Sequence, residues 1–524
     1  MSIGETPAPV TLQDVLHGIP IAAFAGDKKT VVSALRTDSR RVGRGDLFLA
    51  MPGTRTSGER FIVEAVSRGA AAVLSGGEIP PRPQVAWARA EDMPSAAAAA
   101  ARNFFQHPER DLRAVGVTGT NGKTTVSTLL RHLLGWGAGG GAGGTGVTGG
   151  IDDAAGGEKW GLIGTVRYEL GGRELPAHRT TPDAVEFTDL LAQMRDAGCA
   201  GFVAEISSHA IAQRRVDGLA FEALAFTNLS RDHIDYHGDM EAYFGVKASA
   251  FLGTAAPPPA HAVINADDAH GRRLLALLPP AVRAHSFGLA EDADVRAENI
   301  VLEAGRSRFR VLWPEGAGEV STTLPGHYNV SNVLCALALA RALGRDIGAL
   351  LPRVSGFGGV AGRMERVAPD LPFQIFVDYA HTDDALRNAL EMLRAITKGR
   401  LLLVFGCGGD RDRGKRPKMM AAAQEFADFA WATADNPRKE PQEQIFDDMR
   451  AGITAPEKVM FIEDRRHAIA AALDAADTGD TLLIAGKGHE ATQEFADVTV
   501  PFDDRLVTRE LLALRRQRTH VQSA

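Results

Sequence analysis

A short apolar run that ends in a glycine turn and continues into an amphipathic helix constrains this chain more than any other feature. The run is Ala114-Val-Gly-Val-Thr118, the turn is Gly119-Thr-Asn-Gly122, and Lys123 and Thr124 follow directly. Apolar residues then recur at helical spacing, at Val126, Leu129, Leu130, Leu133 and Leu134. Strand, glycine turn and helix begin a βαβ unit, which requires a parallel sheet. The chain is therefore predicted to be an α/β protein.

The same turn is suited to binding phosphate. Backbone N–H groups at glycines can curve around phosphate oxygens, and the N-terminus of the following helix adds partial positive charge. Lys123 would reach the terminal phosphates, and the hydroxyl of Thr124 would ligate Mg²⁺. The usual spacing G-x-x-x-x-G-K-[ST] is not met, because Val117 stands where its first glycine belongs. An ordinary strand–helix turn therefore stays open as an alternative at this point.

Strand-like runs divide the 524 residues into three sections, 1–108, 109–361 and 362–524. In order of section, the runs lie at 46–51 and 71–74, then at 114–118, 202–206, 223–227 and 262–265, and finally at 374–378, 401–405 and 482–485. Helical patterns separate the last three, as in a doubly wound sheet. We predict a smaller α/β N-terminal domain, a central P-loop-type domain with a parallel sheet, and a C-terminal Rossmann-like domain.

Composition excludes several classes of protein. An apolar content of 45 % supports several hydrophobic cores and argues against a disordered or fibrous chain. The formal net charge of −7 gives no reason to expect nucleic acid or an anionic membrane as a partner. Three scattered cysteines suit a reducing cytoplasm, and neither a signal peptide nor a membrane-spanning run is found. We expect a cytoplasmic monomer without membrane insertion.

The segment Gly135–Gly157 is densely glycine-rich. Glycine loses much conformational entropy on ordering, so the segment predicts a flexible surface loop rather than a second phosphate-binding turn.

Polar residues follow two of the predicted strands in the second section. Glu205 ends one of them, and ligands of open parallel sheets gather outside the carboxyl ends of strands. A glutamate there can face a nucleotide-bound Mg²⁺, although a solvated loop acid is an equal alternative. After the next strand, His233 and His237 lie close to Asp232 and Asp235. Zinc is a weaker alternative for that segment, because no cysteine is near and a second histidine pair is lacking.

Nine motifs occur in the order found in the Mur ligases, and the chain resembles that family from about residue 35 to about residue 505. The motifs are TGTNGKTT, EISSHAIAQRRV, FTNLSRDHIDYHGDMEAYFGVK, GHYNVSN, GRMERV, VDYAHT, GCGGDRDRGKRP, DNPR and AGKGHE. Within the family, the chain is most similar to the enzymes that add meso-diaminopimelate.

The resemblance implies an ATP-dependent ligase of peptidoglycan precursor synthesis with three domains, for the UDP group, ATP and the incoming amino acid. In such enzymes the γ-carboxylate of D-glutamate in UDP-MurNAc-L-Ala-D-Glu is phosphorylated. The amino group of the incoming residue then attacks the acyl phosphate. Bringing two anions together requires fixed positive charge and exclusion of water.

The resemblance also implies the residues that carry this chemistry. The catalytic residues would be Lys123, Glu205, His233 and Lys247. Lys247 would be carbamylated and would hold Mg²⁺ together with Thr124 and Glu205, whereas the residue pattern alone indicates a solvated helix lysine. ATP contacts are implied for Gly119, Thr120, Asn121, Gly122, Lys123, Thr124, Thr125, Asn332, Arg363 and Asp378. Contacts to the UDP-linked substrate are implied for Ser39, Thr180, Thr181, Ser207, Gln213 and Arg215.

The identity of the added amino acid depends on Asp435-Asn-Pro-Arg438, which reads DNPR in the diaminopimelate-adding enzymes. A guanidinium binds the distal carboxylate of diaminopimelate with two hydrogen bonds and would be left unpaired by L-lysine. By resemblance, the amino-acid site comprises Arg411, Asp435, Asn436, Pro437, Arg438, Gly486 and Glu490.

Two residues depart from the family pattern, Asp383 at a usual proline and Ser57 at a usual aspartate, and neither is a predicted ligand. The alternatives are a lysine-adding Mur ligase, a folylpolyglutamate synthetase, a non-catalytic nucleotide-binding relative and a P-loop motor or transport ATPase.

Overall fold

The chain carries three sheets that follow one another along the sequence, and a two-stranded hairpin accompanies the third. A computed structural model describes residues 9–53, 56–135, 158–254, 256–303 and 305–522. Apart from Gly135, the glycine-rich segment predicted to be a loop lies outside the described residues. Within the described ranges we find no helix with both the length and the hydropathy of a membrane span.

The first sheet has five strands and is parallel except at one edge. Its elements are α1 (Leu12–Val15), β1 (Ile21–Ala25), β2 (Leu35–Arg36), β3 (Leu47–Leu49), α2 (Ile62–Ser67), β4 (Ala72–Ser75), β5 (Ala86–Ala90) and α3 (Met93–Phe104). The strand order is β1-β5-β4-β3-β2, and only the pair of β1 and β5 is antiparallel. Asp92 caps the N-terminus of α3. The small side chains of the alanine run allow the helix to pack closely on this sheet.

The second sheet has eleven strands. Its elements are β6 (Arg113–Thr118), α4 (Lys123–Leu134), β7 (Trp160–Ile163), β8 (Arg167–Glu169), β9 (Glu174–Pro176), α5 (Ala184–Asp196), β10 (Gly201–Glu205), α6 (Ser208–Ala212), β11 (Ala223–Phe226), α7 (Ile234–His237), α8 (Met240–Leu252), β12 (His261–Asn265), α9 (Ala269–Leu277), β13 (Arg283–Gly288), β14 (Val295–Glu303), β15 (Arg306–Trp313), β16 (Gly316–Thr322), α10 (His327–Ala342) and α11 (Ile347–Ser355).

Strand β6 lies at the centre of that sheet, in the order β16-β15-β14-β13-β12-β11-β6-β10-β7-β8-β9. All neighbours from β14 to β7 are parallel, and antiparallel strands extend both edges. The period of two places Val115 and Val117 in the core under α4 and α10, while Ala114 faces the core under α5 and α8. Because β10 and β11 flank β6 on opposite sides, the turn after β6 opens at a switch point where ligands bind.

The third sheet has six strands and helices on both faces. Its elements, with those of the hairpin, are β17 (Glu365–Arg366), β18 (Gln374–Asp378), α12 (Asp383–Ile396), β19 (Leu401–Cys407), α13 (Arg416–Phe426), β20 (Phe429–Ala434), α14 (Gln442–Arg450), β21 (Val459–Phe461), α15 (Arg465–Ala475), β22 (Thr481–Ala485), β23 (Thr492–Glu494), β24 (Thr499–Pro501) and α16 (Asp504–Gln522). The order β17-β18-β22-β19-β20-β21 is parallel except at β17. The predicted α/β fold class is thus confirmed.

A buried ion pair holds two strand ends of the third sheet together. The side chains of Arg465 and Asp504 are fully buried, and Nη2 of Arg465 lies 2.7 Å from Oδ2 of Asp504. The same guanidinium donates to the carbonyl oxygens of Ala485 (2.9 Å) and Ala434 (3.4 Å), the last residues of β22 and β20. The segments that follow these two strands are therefore positioned by one arginine.

Candidate active site

The side chain of Lys123 is hydrogen-bonded to the backbone of the glycine turn after β6. Nζ of Lys123 donates to the carbonyl oxygens of Gly119 (2.9 Å) and Thr120 (2.8 Å). Gly122 has φ +88°, and a Cβ there would lie 2.4 Å from Oδ1 of Asn332, so only glycine fits. Burial lowers the pKa of Lys123, which nearby Glu205 and Asp232 oppose. The predicted ATP residues Thr120, Asn121, Thr124 and Thr125 lie in or directly after this turn.

Glu205, the last residue of β10, is fully buried and accepts hydrogen bonds from three donors. Oγ1 of Thr124 reaches Oε2 at 2.9 Å, and Oγ1 of Thr165 reaches the same oxygen at 2.9 Å. The backbone N–H of Thr165 donates to Oε1 at 2.8 Å. Glu205 is therefore not a solvated loop acid but a fixed carboxylate beside the helix N-terminus.

Lys247 on α8 is buried as well, with 1 % of its surface exposed. Its Nζ lies 2.9 Å from the carbonyl oxygen of Gly119 and 3.3 Å from Oγ1 of Thr118. Burial, together with the charge of Lys123, holds the pKa of Lys247 well below its usual value. The solvated helix lysine that the residue pattern alone indicates is therefore wrong, and this amine faces the glycine turn after β6.

His233 lies on the other side of the turn, in a group of aromatic rings. Its backbone is left-handed (φ +55°), and Nε2 lies 3.3 Å from Oδ2 of Asp232. The ring of His209 contacts it edge to face, with centroids 4.8 Å apart. Burial lowers the pKa of His233 and lowers that of His209 to about 4. Both imidazoles are therefore neutral at neutral pH and can accept as well as donate hydrogen bonds.

The third section of the chain contributes Arg363 and Asp378 to the same place. Nη2 of Arg363 donates to Oγ1 of Thr124 at 3.1 Å, and its guanidinium stacks 4.6 Å from the ring centre of Tyr379. Asp378 accepts from the backbone N–H groups of Met364 (2.7 Å) and Ala380 (2.8 Å), and burial raises its pKa. The loop before β17 is thus joined to the turn after β6.

A second contact between these sections involves Asp384 in the first turn of α12. Its Oδ2 accepts from Oγ of Ser230 at 2.8 Å and from Nδ2 of Asn121 at 3.2 Å. Nothing in the sequence singled out Asp384, because an acidic residue in a first helical turn is common for reasons of charge alone.

Most residues predicted to hold the UDP-linked substrate form one hydrogen-bonded group beside Glu205. Oγ1 of Thr181 donates to the carbonyl oxygen of Glu205 at 2.7 Å and contacts Oγ of Ser207. Arg215 donates to the carbonyl oxygen of Thr181 at 2.7 Å and to Oε1 of Gln213. Thr180 contacts Thr165 through their hydroxyls at 3.0 Å.

Ser39 is buried in the first section and donates to Glu64 at 2.8 Å. Among the described residues, no hydrogen bond joins it to the other predicted substrate contacts.

The predicted amino-acid residues surround the carboxyl ends of β20 and β22. Nδ2 of Asn436 donates to Oε2 of Glu490 at 2.8 Å, and the buried Nζ of Lys487 donates to Oδ1 of Asn436 at 3.0 Å. Gly486 packs so tightly on Asp435 that a Cβ there would lie 2.4 Å from Oδ2. Burial and the charge of Asp435 raise the pKa of Glu490, which Lys487 opposes. Arg438 is held by Glu494, while Arg411 is exposed and, within the part of the chain that the structure describes, its one hydrogen bond is a long contact to the Asp410 carbonyl.

Four residues of this region were not predicted from the sequence: Thr165, Asp384, Lys487 and Glu494. Thr165 follows β7, a four-residue strand directly after the glycine-rich segment that the pattern did not reveal. The rule that ligands gather at the carboxyl ends of strands would have pointed to Thr165 had β7 been recognised. Lys487 lies inside a quoted motif, so only its burial was missed.

Matches to known proteins cover nearly the whole chain. Residues 31–105 match the Mur ligase family, catalytic domain; residues 117–340 match the Mur ligase middle domain; residues 362–488 match the Mur ligase, glutamate ligase domain. The chain is 41 % identical over 485 residues to the UDP-N-acetylmuramoyl-L-alanyl-D-glutamate–2,6-diaminopimelate ligase of Solibacter usitatus, covering 92 % of this chain and 94 % of the relative. It is 42 % identical over 489 residues to the ligase of that name from Gloeobacter violaceus, covering 93 % and 95 %.

Solved structures of Mur ligases share the fold. A structure of a UDP-N-acetylmuramoyl-L-alanyl-D-glutamate–2,6-diaminopimelate ligase aligns with a TM-score of 0.65 and 33 % identity, over 97 % of this chain and all of that one. The MurF ligase from Thermotoga maritima in complex with ADP aligns with a TM-score of 0.60 and 18 % identity, over 94 % of this chain and 98 % of that one. With relatives above 40 % identity along nine-tenths of its length and three matching domains in the family's order, the chain belongs to the Mur ligase family.

Proposed function

We propose that this protein is the ATP-dependent ligase that adds meso-2,6-diaminopimelate to UDP-MurNAc-L-Ala-D-Glu in peptidoglycan precursor synthesis. The observation that carries the proposal is the convergence of Lys123, Thr124, Glu205, Lys247 and Arg363 at the glycine turn. The ligases of Solibacter usitatus and Gloeobacter violaceus, whose names state this reaction, are similar to the chain along its length. The units of the enzyme would be 1–108 for the UDP group, 109–361 for ATP and 362–524 for the amino acid.

The reaction brings together two anions, the D-glutamyl γ-carboxylate and the phosphates of ATP. The cationic side chains of the site would reduce the repulsion between them. An oxygen of the D-glutamyl γ-carboxylate attacks the γ-phosphorus of ATP, and ADP leaves. Lys123 directly precedes Thr124, and Arg363 donates to the Thr124 hydroxyl; both cations would stabilise the charge on the transferring phosphoryl group. The adenine and ribose would lie near Asn332 and Asp378, and Thr181, Ser207, Gln213 and Arg215 would hold the muramoyl peptide.

The donor set at Glu205 fits a magnesium ion. A buried carboxylate and a hydroxyl in contact with it are hard oxygen ligands, which Mg²⁺ prefers together with phosphate oxygens. Among the described residues, no cluster of three His, Cys, Asp or Glu side chains has metal-binding geometry. Thr124, Glu205 and a carbamate on Lys247 would hold the ion, which when bound neutralises charge on the phosphates.

The environment of Lys247 favours carbamate formation. The reaction requires a neutral amine, whose nitrogen attacks the carbon of CO₂ and loses a proton as the N–C bond forms. Burial and the neighbouring Lys123 favour the neutral form of Lys247 by lowering its pKa. The product is an anion, which would replace the repulsion between Lys247 and Lys123 with attraction.

The second step occurs between the central and third units. The amino group of diaminopimelate, after losing a proton, attacks the acyl carbon, and phosphate leaves. Neutral His233 would accept a hydrogen bond next to the transferring group. Asn436, Arg438 and Glu490 would orient the amino acid, with Arg438 on its distal carboxylate. We place this monomeric enzyme in the cytoplasm, where its nucleotide substrates are made.

Phosphate release by the purified protein tests the proposal. With ATP, Mg²⁺ and UDP-MurNAc-L-Ala-D-Glu, release should depend on meso-diaminopimelate, and L-lysine should support less than about one-hundredth of that kcat/KM. Preference for lysine would identify the lysine-adding enzyme instead. Absence of release with either amino acid, despite ATP binding, would favour a non-catalytic relative.

A further inference from the structure

Arg438 is held by three hydrogen bonds from within the chain. Its backbone N–H donates to the carbonyl oxygen of Glu494 at 3.0 Å. Its Nε donates to Oε2 of the same residue at 2.9 Å, and its Nη1 donates to the carbonyl oxygen of Gly409 at 3.0 Å. Glu494 therefore holds both the backbone and the side chain of the arginine.

Glu494 is itself anchored to the amino-acid site. It ends β23, and its backbone N–H donates to Oδ1 of Asn436 at 3.0 Å. Arg438 also pairs with Phe495, the residue after Glu494, in an isolated β-bridge. These contacts hold Arg438 in a left-handed conformation, with φ +55°, that arginine rarely adopts. The hairpin of β23 and β24 is thus the element that sets the direction of the arginine side chain.

The hydrogen bonds leave one end of the guanidinium open. An arginine has five N–H donors in a fixed planar fork. Nε and one N–H of Nη1 are used, whereas Nη2 has no hydrogen-bond partner among the residues that the structure describes. Space at this end depends on Gly408, where a Cβ would lie 3.1 Å from Nη1. The pair of Nη1 and Nη2 is therefore the fork that remains for a carboxylate.

We propose that Glu494 is a positioning residue that sets the preference for an amino acid with a second carboxylate. By holding Nε, it orients the free fork of Arg438 and prevents the long side chain from turning toward solvent. The inference rests on the proposed function, because it assigns the distal carboxylate of diaminopimelate to Arg438. Glu494 would not touch the substrate, so its effect passes through the arginine alone.

The side chain of Glu494 is 47 % exposed, so its replacement removes no core packing and the variants should fold. Glu494→Ala removes the acceptor, and Glu494→Gln keeps an oxygen acceptor without the charge. Glu457→Gln, at an exposed glutamate in the turn before β21, is the matched control. Melting temperatures of all variants should lie close to that of the parent protein.

We expect Glu494→Ala to raise KM for meso-diaminopimelate about tenfold and Glu494→Gln about threefold, since charge-assisted bonds are the stronger ones. The kcat value and the KM values for ATP and the UDP-linked dipeptide should stay within about twofold. The kcat/KM for L-lysine should not change. The ratio of kcat/KM for diaminopimelate to kcat/KM for lysine should therefore fall by the same factor as kcat/KM for diaminopimelate. A merely structural role would instead move all substrates together.

Two further measurements complete the test. In an Arg438→Ala background, Glu494→Ala should add no further loss, because the residue acts only through the arginine. An unchanged or lower KM for diaminopimelate in Glu494→Ala, or full additivity with Arg438→Ala, would overturn the inference. If the parent protein itself shows no preference for diaminopimelate over lysine, the proposed function fails first, and that result is visible without any variant.

Discussion

Thr124 and Glu205 share a hydrogen bond 2.9 Å long that joins the start of α4 to the end of β10. Arg363 donates to the same threonine hydroxyl from the third unit of the chain. The hydroxyl group of Thr124 thus joins the start of α4, the carboxylate of Glu205 and the third unit of the chain. Substitutions of the residues around this hydroxyl should reduce activity without unfolding the protein.

Replacing Glu205 by glutamine should abolish ligation while leaving the fold intact. The amide keeps an oxygen acceptor for the Thr165 backbone but loses the negative charge that a magnesium site needs. We expect phosphate release to fall at least about 100-fold, with the melting temperature within a few degrees. Glu319→Gln, at an exposed glutamate on β16, is the control. Retention of activity within about fivefold would contradict the assignment.

Lys247 should carry a carbamate whose formation depends on dissolved CO₂. Protein equilibrated with ¹³C-labelled bicarbonate should give a carbamate resonance that disappears in Lys247→Gln, and this variant should lose nearly all activity. The physical reason is that burial and the charge of Lys123 lower the pKa of Lys247 and so favour the neutral amine, the form that reacts with CO₂. Lys159→Gln is the control, since that residue is exposed. A resonance that persists in Lys247→Gln would place the carbamate elsewhere.

Asp384 should matter for ATP binding although it is not expected to touch ATP. Its carboxylate accepts from Asn121 and Ser230, so Asp384→Ala removes the shorter of two hydrogen bonds that hold the Asn121 side chain in the glycine turn. We expect KM for ATP to rise roughly tenfold, as for the loss of one charge-assisted hydrogen bond. The neighbouring Asp383→Ala should leave KM unchanged. Equal effects of the two substitutions would show that helix charge, not the contact, is responsible.

Stability should fall in mild acid because of buried histidines. Burial lowers the pKa of His381 and of His489 to about 4. An unfolded histidine titrates near 6.5, so below that pH the unfolded chain binds protons that the folded chain does not. The contribution is fully present above about pH 6.5 and is lost as the pH falls toward 4, by up to about 1.4 kcal/mol per pH unit for each group.

Urea unfolding at about pH 7.5, 6 and 5 measures that slope. His381→Gln should flatten it, whereas His467→Gln, at a histidine with 78 % of its side chain exposed, should not. A slope that is the same in the parent protein and in His381→Gln would refute the linkage.

Breaking the buried pair of Arg465 and Asp504 should destabilise the third unit strongly. Arg465→Met leaves Asp504 buried without a partner, and we expect a loss of about 3–5 kcal/mol in the free energy of unfolding. Adding Asp504→Leu should recover much of that loss, because no unpaired charge then remains. Denaturant titration of the two variants tests this, and a double variant less stable than Arg465→Met would disprove the argument.

Features that depend on residues close together in the sequence could be predicted, whereas features that depend on contacts between distant segments could not. The nine predicted strands, from 46–51 to 482–485, correspond to strands in the structure, because alternation and turn residues are local signals. The glycine turn between β6 and α4 also follows from local pattern, whereas its phosphate-binding role stays a prediction. The burial of Lys247 does not, because it results from packing of α8 on the turn after β6, more than 100 residues away. Glu494 was missed for the same reason, since its partner Arg438 lies on another segment.

The antiparallel strands β14, β15 and β16 were not predicted either. Their alternation of exposed and buried residues is clear in the structure, but charged residues such as Arg308 and Arg310 obscured it in the sequence. The roles of the predicted site residues stay predictions, although most of them lie together.

The backbone bonds of Lys123 have a consequence for ligand discrimination. The amino group of Lys123 is hydrogen-bonded to two carbonyl oxygens of its own turn, so a ligand must offer stronger acceptors than these to engage the lysine. Adenosine lacks such acceptors, whereas a triphosphate tail supplies them. If ATP binds at this turn as proposed, the turn should bind a nucleoside triphosphate much more tightly than adenosine.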